Sequence, residues 1–378
     1  MPETDPVPLS RLTTLRTGAA PRRMIDAATR EELIDALREV WADGDDWFVL
    51  GGGSNLFVGD EPFDGTVIRI LTRGIERLDP VTPGTTLLRV QAGHDWDDLV
   101  AQTVAAGLSG IEAMSGIPGT VGAAPVQNVG AYGQEISQTL VEVELIDEAT
   151  GEVSVVPAAE LGLGFRTSVL KHHHGSVAER RAAILSVTLE LTQVGHGVAP
   201  VRGEQLRRAL GLEPDAAVSL AWIRDHVLAT RRAKGMVLDD DDHDTWSAGS
   251  FFQNAIVSER FARTLPDACP RWPMQPDVEP VTVIPLEQFD GVVPQPEPQE
   301  VDVKVSAAWL IEHAGIRKGF SLARSRASVS TKHALALTNR GGATAAEIAQ
   351  LARFIQQRVQ QEFGLLLQPE PVLVDVEL

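Results

Sequence analysis

The chain has 378 residues, 43% of them hydrophobic and 22% charged, which is enough for two or three domains with cores of their own. A formal net charge of −19 repels phosphate backbones, so nucleic acid is excluded as an expected partner and a phosphorylated ligand would need a locally basic pocket. A single cysteine, Cys269, rules out an intrachain disulfide; the acidic, Pro-rich N-terminus has no signal-peptide pattern, and no run approaches ~20 apolar residues, so we expect a cytoplasmic protein that does not insert into membrane.

In chain order, residues 24–28 (MIDAA) predict a short strand. TREELIDALREVWADG follows, with Leu33, Ile34, Leu37, Val40 and Trp41 at helical spacing and Thr29 with Glu32 as a capping box. Trp47 to Leu50 is an apolar run entering GGGSN. Further strands are predicted at 66–71, 85–90, 139–146 and 183–191, and a helix at 95–106 before Gly107. Two helices are expected between 203 and 233. Nine of the 23 prolines then fall in residues 266–300, which predicts an extended surface insertion rather than helix or central strand. A long helix with Thr344 as N-cap and Gly364 as stop precedes a final strand in LLLQPEPVLVDVEL. The mixture is α/β or α+β, without an internal repeat.

Two glycine-rich segments could carry chemistry. GGGSN, residues 51–55, offers backbone N–H groups and the Ser54 and Asn55 side chains to an anion, although a plain tight turn reads equally well. SGIPGTVGAAPVQNVGAYGQEI, residues 115–136, has five glycines and almost no charge, which suits a backbone wrapped around a large planar or diphosphate ligand. GFRTS at 164–168, GSFFQN at 249–254 and QPEPV at 368–372 are each uninformative alone, and only the fold could unite them. KHHHG at 171–175 and DDDDHD at 239–244 look like metal-ligand material but read as solvated surface, because adjacent side chains point apart and the acidic run lacks a calcium-loop glycine. No metal is expected.

Taken together and in this order, GGGSN, IPGTVGAAPVQNVGAYG, GFRTS, GSFFQN, KVSAAWLIEHAG, STKHALALTN and LQPEPV resemble the UDP-N-acetylenolpyruvoylglucosamine reductase (MurB) family over nearly the whole chain except 266–300. The resemblance implies an α+β protein: a two-part FAD-binding domain of the vanillyl-alcohol-oxidase type plus an α/β substrate-binding domain. On this reading 1–75, joined by about 350–378, and 76–230 bind FAD, and 231–349 binds substrate. It implies non-covalent FAD with NADPH as reductant, small-molecule ligands only, and a monomer.

By resemblance, FAD contacts come from Gly51, Gly52, Gly53, Ser54 and Asn55, from Ser115, Gly116, Ile117, Pro118, Gly119, Gly122 and Ala123, and from Gln127, Asn128, Gly130, Ala131 and Tyr132. Arg166 and Glu370 match the positions that stabilise an aci-carboxylate, and Ser250 matches the proton donor. Lys234 and Asn254 match substrate-binding positions. Arg202 stands where many members carry a substrate-covering tyrosine. The competing readings are an oxygen-using FAD oxidase of the same fold and an inactive sugar-nucleotide binder.

Overall fold

The computed structural model describes residues 3–80, 82–171, 179–274 and 301–378. A βαβ unit forms the first layer. Strand Thr66–Ile70 lies between Arg23–Ala27 and Trp47–Leu50, and both pairings are parallel. The helix Arg30–Asp43 connects the outer two. It starts at the capping box of Thr29 and Glu32 and stops at Gly44, whose φ of 71° is left-handed. Its buried residues Leu33, Ile34, Ala36, Leu37 and Val40 form the stripe that 3.6-residue spacing marks. Strand Trp47–Leu50 therefore delivers the GGGSN loop to the edge of a packed layer.

The second layer is antiparallel. Its strands run in the order Val153–Pro157, Leu140–Asp147, Ala182–Gln193, Thr85–Gln91, Ile75–Leu78. The central 12-residue strand is buried from Ala183 through Leu189, because helices or loops cover both faces. Helices Trp96–Ala105 and Leu220–Ala233 pack together, tied by Arg224, whose guanidinium donates to both oxygens of Asp97 at 2.6 and 2.8 Å. The glycine-rich segment crosses this layer as short 3-10 turns at Val121–Ala123, Pro125–Gln127 and Ile136–Gln138.

The third region holds an antiparallel sheet ordered Ala255–Ser258, Asp302–Val305, Arg271–Pro273, the hairpin Ala327–Val329 with Leu337–Asn339, and the helices Ala307–His313 and Ala345–Phe363. The mixture of parallel and antiparallel layers is α+β. Among the described residues no helix is long and apolar enough to cross a membrane.

The long helix Ala345–Phe363 shares one core with Phe251, Val305, Leu310 and Val329 of the third region and with Leu15 and Phe57 of the first, and its Ala345 N–H donates to Asp60 at 2.7 Å. The short strand Val372–Val374 pairs in parallel with Leu56–Val58. The start of the Pro-rich stretch is also built in: Leu265 and Cys269 are buried, and Arg271–Pro273 is an edge strand, where a proline costs no ladder bond. Residues 275–300 of the expected insertion lie outside the described residues.

Candidate active site

A cavity of about 540 Å³ opens where the three regions meet. One wall is neutral and made of the two glycine-rich segments. They pack on each other directly: a Cβ on Gly52 would lie 2.6 Å from the Cα of Gly119, and one on Gly51 would lie 2.4 Å from Oγ1 of Thr120. Ser54 donates its hydroxyl to the Pro118 carbonyl at 2.8 Å. These glycines thus serve loop-on-loop packing as well as openness toward a ligand.

A second group of lining residues is charged and adjoins these loops. Gly164 and Thr167 exchange backbone hydrogen bonds of 3.1 and 3.5 Å, closing a tight turn with Arg166 at its third position. Arg166 has φ 56°, a left-handed conformation that costs a non-glycine residue on the order of 1 kcal/mol and gathers at functional sites. Its guanidinium donates to the Gly130 carbonyl at 3.0 Å, and its Nε lies 3.1 Å from Oε1 of Glu370. Ser250 reaches the same wall through a bridge between Phe252 and Pro369, in which the Glu370 N–H donates to the Phe251 carbonyl at 2.8 Å and the Gln253 N–H to the Gln368 carbonyl at 3.0 Å. Phe251 and Phe252, both buried, anchor this segment, and Phe251 meets Phe57 edge-on. Ser250 lines the cavity, and no partner for its hydroxyl is found among the described residues. The structure therefore brings Arg166, Ser250 and Glu370 to one cavity, from positions up to 204 residues apart (370 − 166).

Arg166, Lys171, Arg180, Arg181 and Arg231 line this cavity with Glu179 and Glu370; Arg166 pairs with Glu370, Arg180 with Asp147 and Arg181 with Glu148. Arg231 donates through Nη2 to the Met236 carbonyl at 2.9 Å, while its buried Nε finds no partner among the described residues. Burial lowers its pKa, and Tyr132 and Asp97 oppose that shift. Arg231 lines the cavity together with glycine backbone, a donor set that fits the diphosphate of a dinucleotide such as FAD.

Of the residues expected to touch FAD, Gly51 to Asn55, Ile117, Pro118, Gly119, Gly122, Ala123, Gln127 and Gly130 line the cavity. Three others are turned into the protein. Ser115 is fully buried and donates to the Glu112 carbonyl, and the Gly116 N–H donates to Asp97. Asn128 bonds Glu135 and the Gly164 carbonyl, which ties the Arg166 turn to the glycine-rich loop. Ala131 and Tyr132 lie outside the lining; burial raises the Tyr132 pKa, and Lys234 sits 5.8 Å over its ring. Lys234 and Arg202 are exposed and do not line the cavity. Asn254 caps a helix instead, accepting from the Ala307 N–H at 3.0 Å.

Two stretches read as solvated surface are not so throughout. Lys171, first residue of KHHHG, is 5% exposed, and burial pulls its pKa down to about 7, with Glu370 raising it and Arg166 lowering it. His172, His173 and His174 lie outside the described residues. Asp244, the last acid of DDDDHD, is buried and accepts from the Thr331 N–H at 2.8 Å and from Arg340 at 2.9 Å, while Asp242 pairs with Lys332. Among the described residues no group of three His, Cys, Asp or Glu side chains could hold a metal ion. The sequence reading also passed over Thr14, Thr120 and Arg231, none of which stands in a marked motif except Thr120.

The chain is similar to known proteins over nearly its whole length. A family model described as FAD binding domain matches residues 21–156, and one described as UDP-N-acetylenolpyruvoylglucosamine reductase, C-terminal domain, matches 241–374. The UDP-N-acetylenolpyruvoylglucosamine reductase of Leifsonia xyli is 53% identical over 386 residues, covering 99% of this chain and 100% of that protein. That of Mycobacterium ulcerans is 43% identical, covering 99% and 96%. The crystal structure of the Thermus caldophilus reductase (MurB) superposes with a TM-score of 0.60 at 25% identity, covering 98% of this chain and 99% of that one.

Proposed function

The chain belongs to the UDP-N-acetylenolpyruvoylglucosamine reductase family of FAD-dependent oxidoreductases, and from that premise we propose that it reduces the enolpyruvyl ether of UDP-N-acetylglucosamine to UDP-N-acetylmuramate, with NADPH as reductant. The reaction would supply peptidoglycan precursor in the cytoplasm. The observation that carries this reading is the convergence of Arg166, Glu370 and Ser250 on the cavity that the glycine-rich loops line.

When bound, FAD supplies the two-electron carrier between NADPH and the substrate. Gly51 to Asn55, Ile117 to Gly119, Gln127 and Arg231 would hold it. Hydride addition at C3 of the enolpyruvyl unit leaves an enediolate, with charge on the carboxyl oxygens. Arg166 brings a fixed guanidinium to that charge, held in place by the Gly130 carbonyl and the turn that presents it. Glu370 lies 3.1 Å from that guanidinium, and its carboxyl group would meet the same oxygens. Ser250 then gives its hydroxyl proton to C2, a transfer that suits a hydroxyl with no competing partner.

The test uses the purified protein. It should be yellow, acid precipitation should release all colour into the supernatant, and NADPH oxidation should depend on the enolpyruvyl UDP-sugar. A colourless protein, or NADPH oxidation indifferent to that substrate, would overturn the reading.

A further inference from the structure

Lys171 lines the cavity, yet the mechanism above does not use it. Its Nζ donates to the backbone carbonyl of Glu370 at 2.7 Å and to Oε1 of Gln127. Asn55 donates Nδ2 to the same Oε1 at 2.6 Å and lies 3.5 Å from the same carbonyl. Four segments distant in sequence thus meet on two oxygens. Because the Gln127 oxygen accepts from two donors, flipping its amide would set three donors face to face, so its orientation is determined.

Glu370 is consequently held at three points. Arg166 meets its carboxylate, Lys171 holds its carbonyl, and its N–H donates to the Phe251 carbonyl. Pro369 and Pro371 on either side restrict the backbone that those contacts fix. The Lys171 amine thus spends its hydrogen bonds on the backbone that carries Glu370 and on the side chain that braces it.

We propose that Lys171 is a positioning residue for the reduction, fixing the Glu370 backbone so that its carboxyl group meets the developing charge on the substrate. Lys171 acts through Glu370 and not by contact with the reacting atoms. The proposal rests on the reading of Glu370 given above.

Four FAD-loaded enzymes test it: wild type, Lys171→Met, Glu370→Gln and the double variant. Each is reduced with NADPH and mixed with the enolpyruvyl UDP-sugar in a stopped-flow spectrometer. Lys171→Met should slow reoxidation at saturating substrate by ~10²-fold, the scale of a displacement near 1 Å. The substrate concentration giving half the maximal rate should move less than ~threefold. The double variant should be no more than ~threefold slower than Glu370→Gln, because residues acting as a unit are non-additive. Lys171→Arg, which keeps donors and charge, should fall between wild type and Lys171→Met.

Wild-type reoxidation by Lys171→Met, or a double variant showing the product of both single losses, overturns the proposal. If neither Lys171→Met nor Lys171→Arg folds with FAD bound, Lys171 is a structural residue and the proposal is equally overturned. An effect at Glu370 without one at Lys171 sinks only the proposal. A Glu370→Gln enzyme that reoxidises like wild type removes the premise, and both readings fall.

Discussion

The two walls of the cavity are built on opposite principles. The glycine-rich wall comes from two contiguous segments, is neutral, and fails sterically: there is no room for a Cβ between Gly52 and Gly119. The charged wall comes from Arg166, Lys171, Ser250 and Glu370, brought together from three parts of the chain. Trimming Arg166 or Ser250 would leave the fold of this wall in place and cost rate. The first wall should therefore be sensitive in cofactor retention and stability, and the second in rate.

The largest expected effect lies on the charged wall. Arg166→Ala should keep FAD but slow reoxidation by substrate ~10²–10³-fold, because it removes a preorganised charge partner. Stopped-flow reoxidation with a check of flavin content decides this, and loss of FAD in that variant would blur the division between the walls. Gly52→Ala should behave in the opposite way. Its Cβ would force the two loops apart at a cost of ~1–3 kcal/mol, with a lowered melting temperature and FAD lost on gel filtration. A fully loaded Gly52→Ala protein of unchanged stability would break the comparison.

A smaller effect concerns the acidic run. Burial alone would raise the Asp244 pKa, but hydrogen bonds from Thr331 and the charge of Arg340 outweigh it and leave the pKa below the ordinary 3.8. A depressed carboxyl contributes stability above its unfolded pKa and loses it as pH falls through the folded value. Asp244→Asn should therefore melt lower than wild type at neutral pH, and the gap should narrow below about pH 4. Melting curves across that range check the sign. The smallest effect is expected at the Pro-rich stretch. Replacing 276–299 with a few Gly and Ser residues should leave kcat within ~tenfold, since long loops add little closure cost. Steady-state turnover of the shortened enzyme measures it.

The elements were legible wherever local physics decides them. The Thr29–Glu32 capping box, the Thr344 N-cap and the Gly364 stop are all present. The glycine-rich wall was legible as composition, though not the reason for its glycines, which is contact with a second loop 64 or more residues away. Lys171 was hidden because a lysine beside three histidines looks solvated. Its burial depends on the Glu370 carbonyl arriving from 199 residues later. Asp244 was hidden in the same way: four preceding acids and a histidine suggest surface, yet Thr331 and Arg340 draw in this one residue. The long helix was legible along the chain, but its apolar stripe shows that it packs without showing against what, and its core draws on both the first and the third region.

The most direct test of the account is Ser250→Ala, read as two separate half-reactions. NADPH should reduce the flavin of this variant at a rate within ~threefold of wild type, because proton donation at C2 belongs to the later step. Reoxidation by the enolpyruvyl UDP-sugar should be slowed at least ~10²-fold, the usual scale for removing a general acid. Reoxidation at the wild-type rate would contradict the account and place the proton donor elsewhere in the cavity.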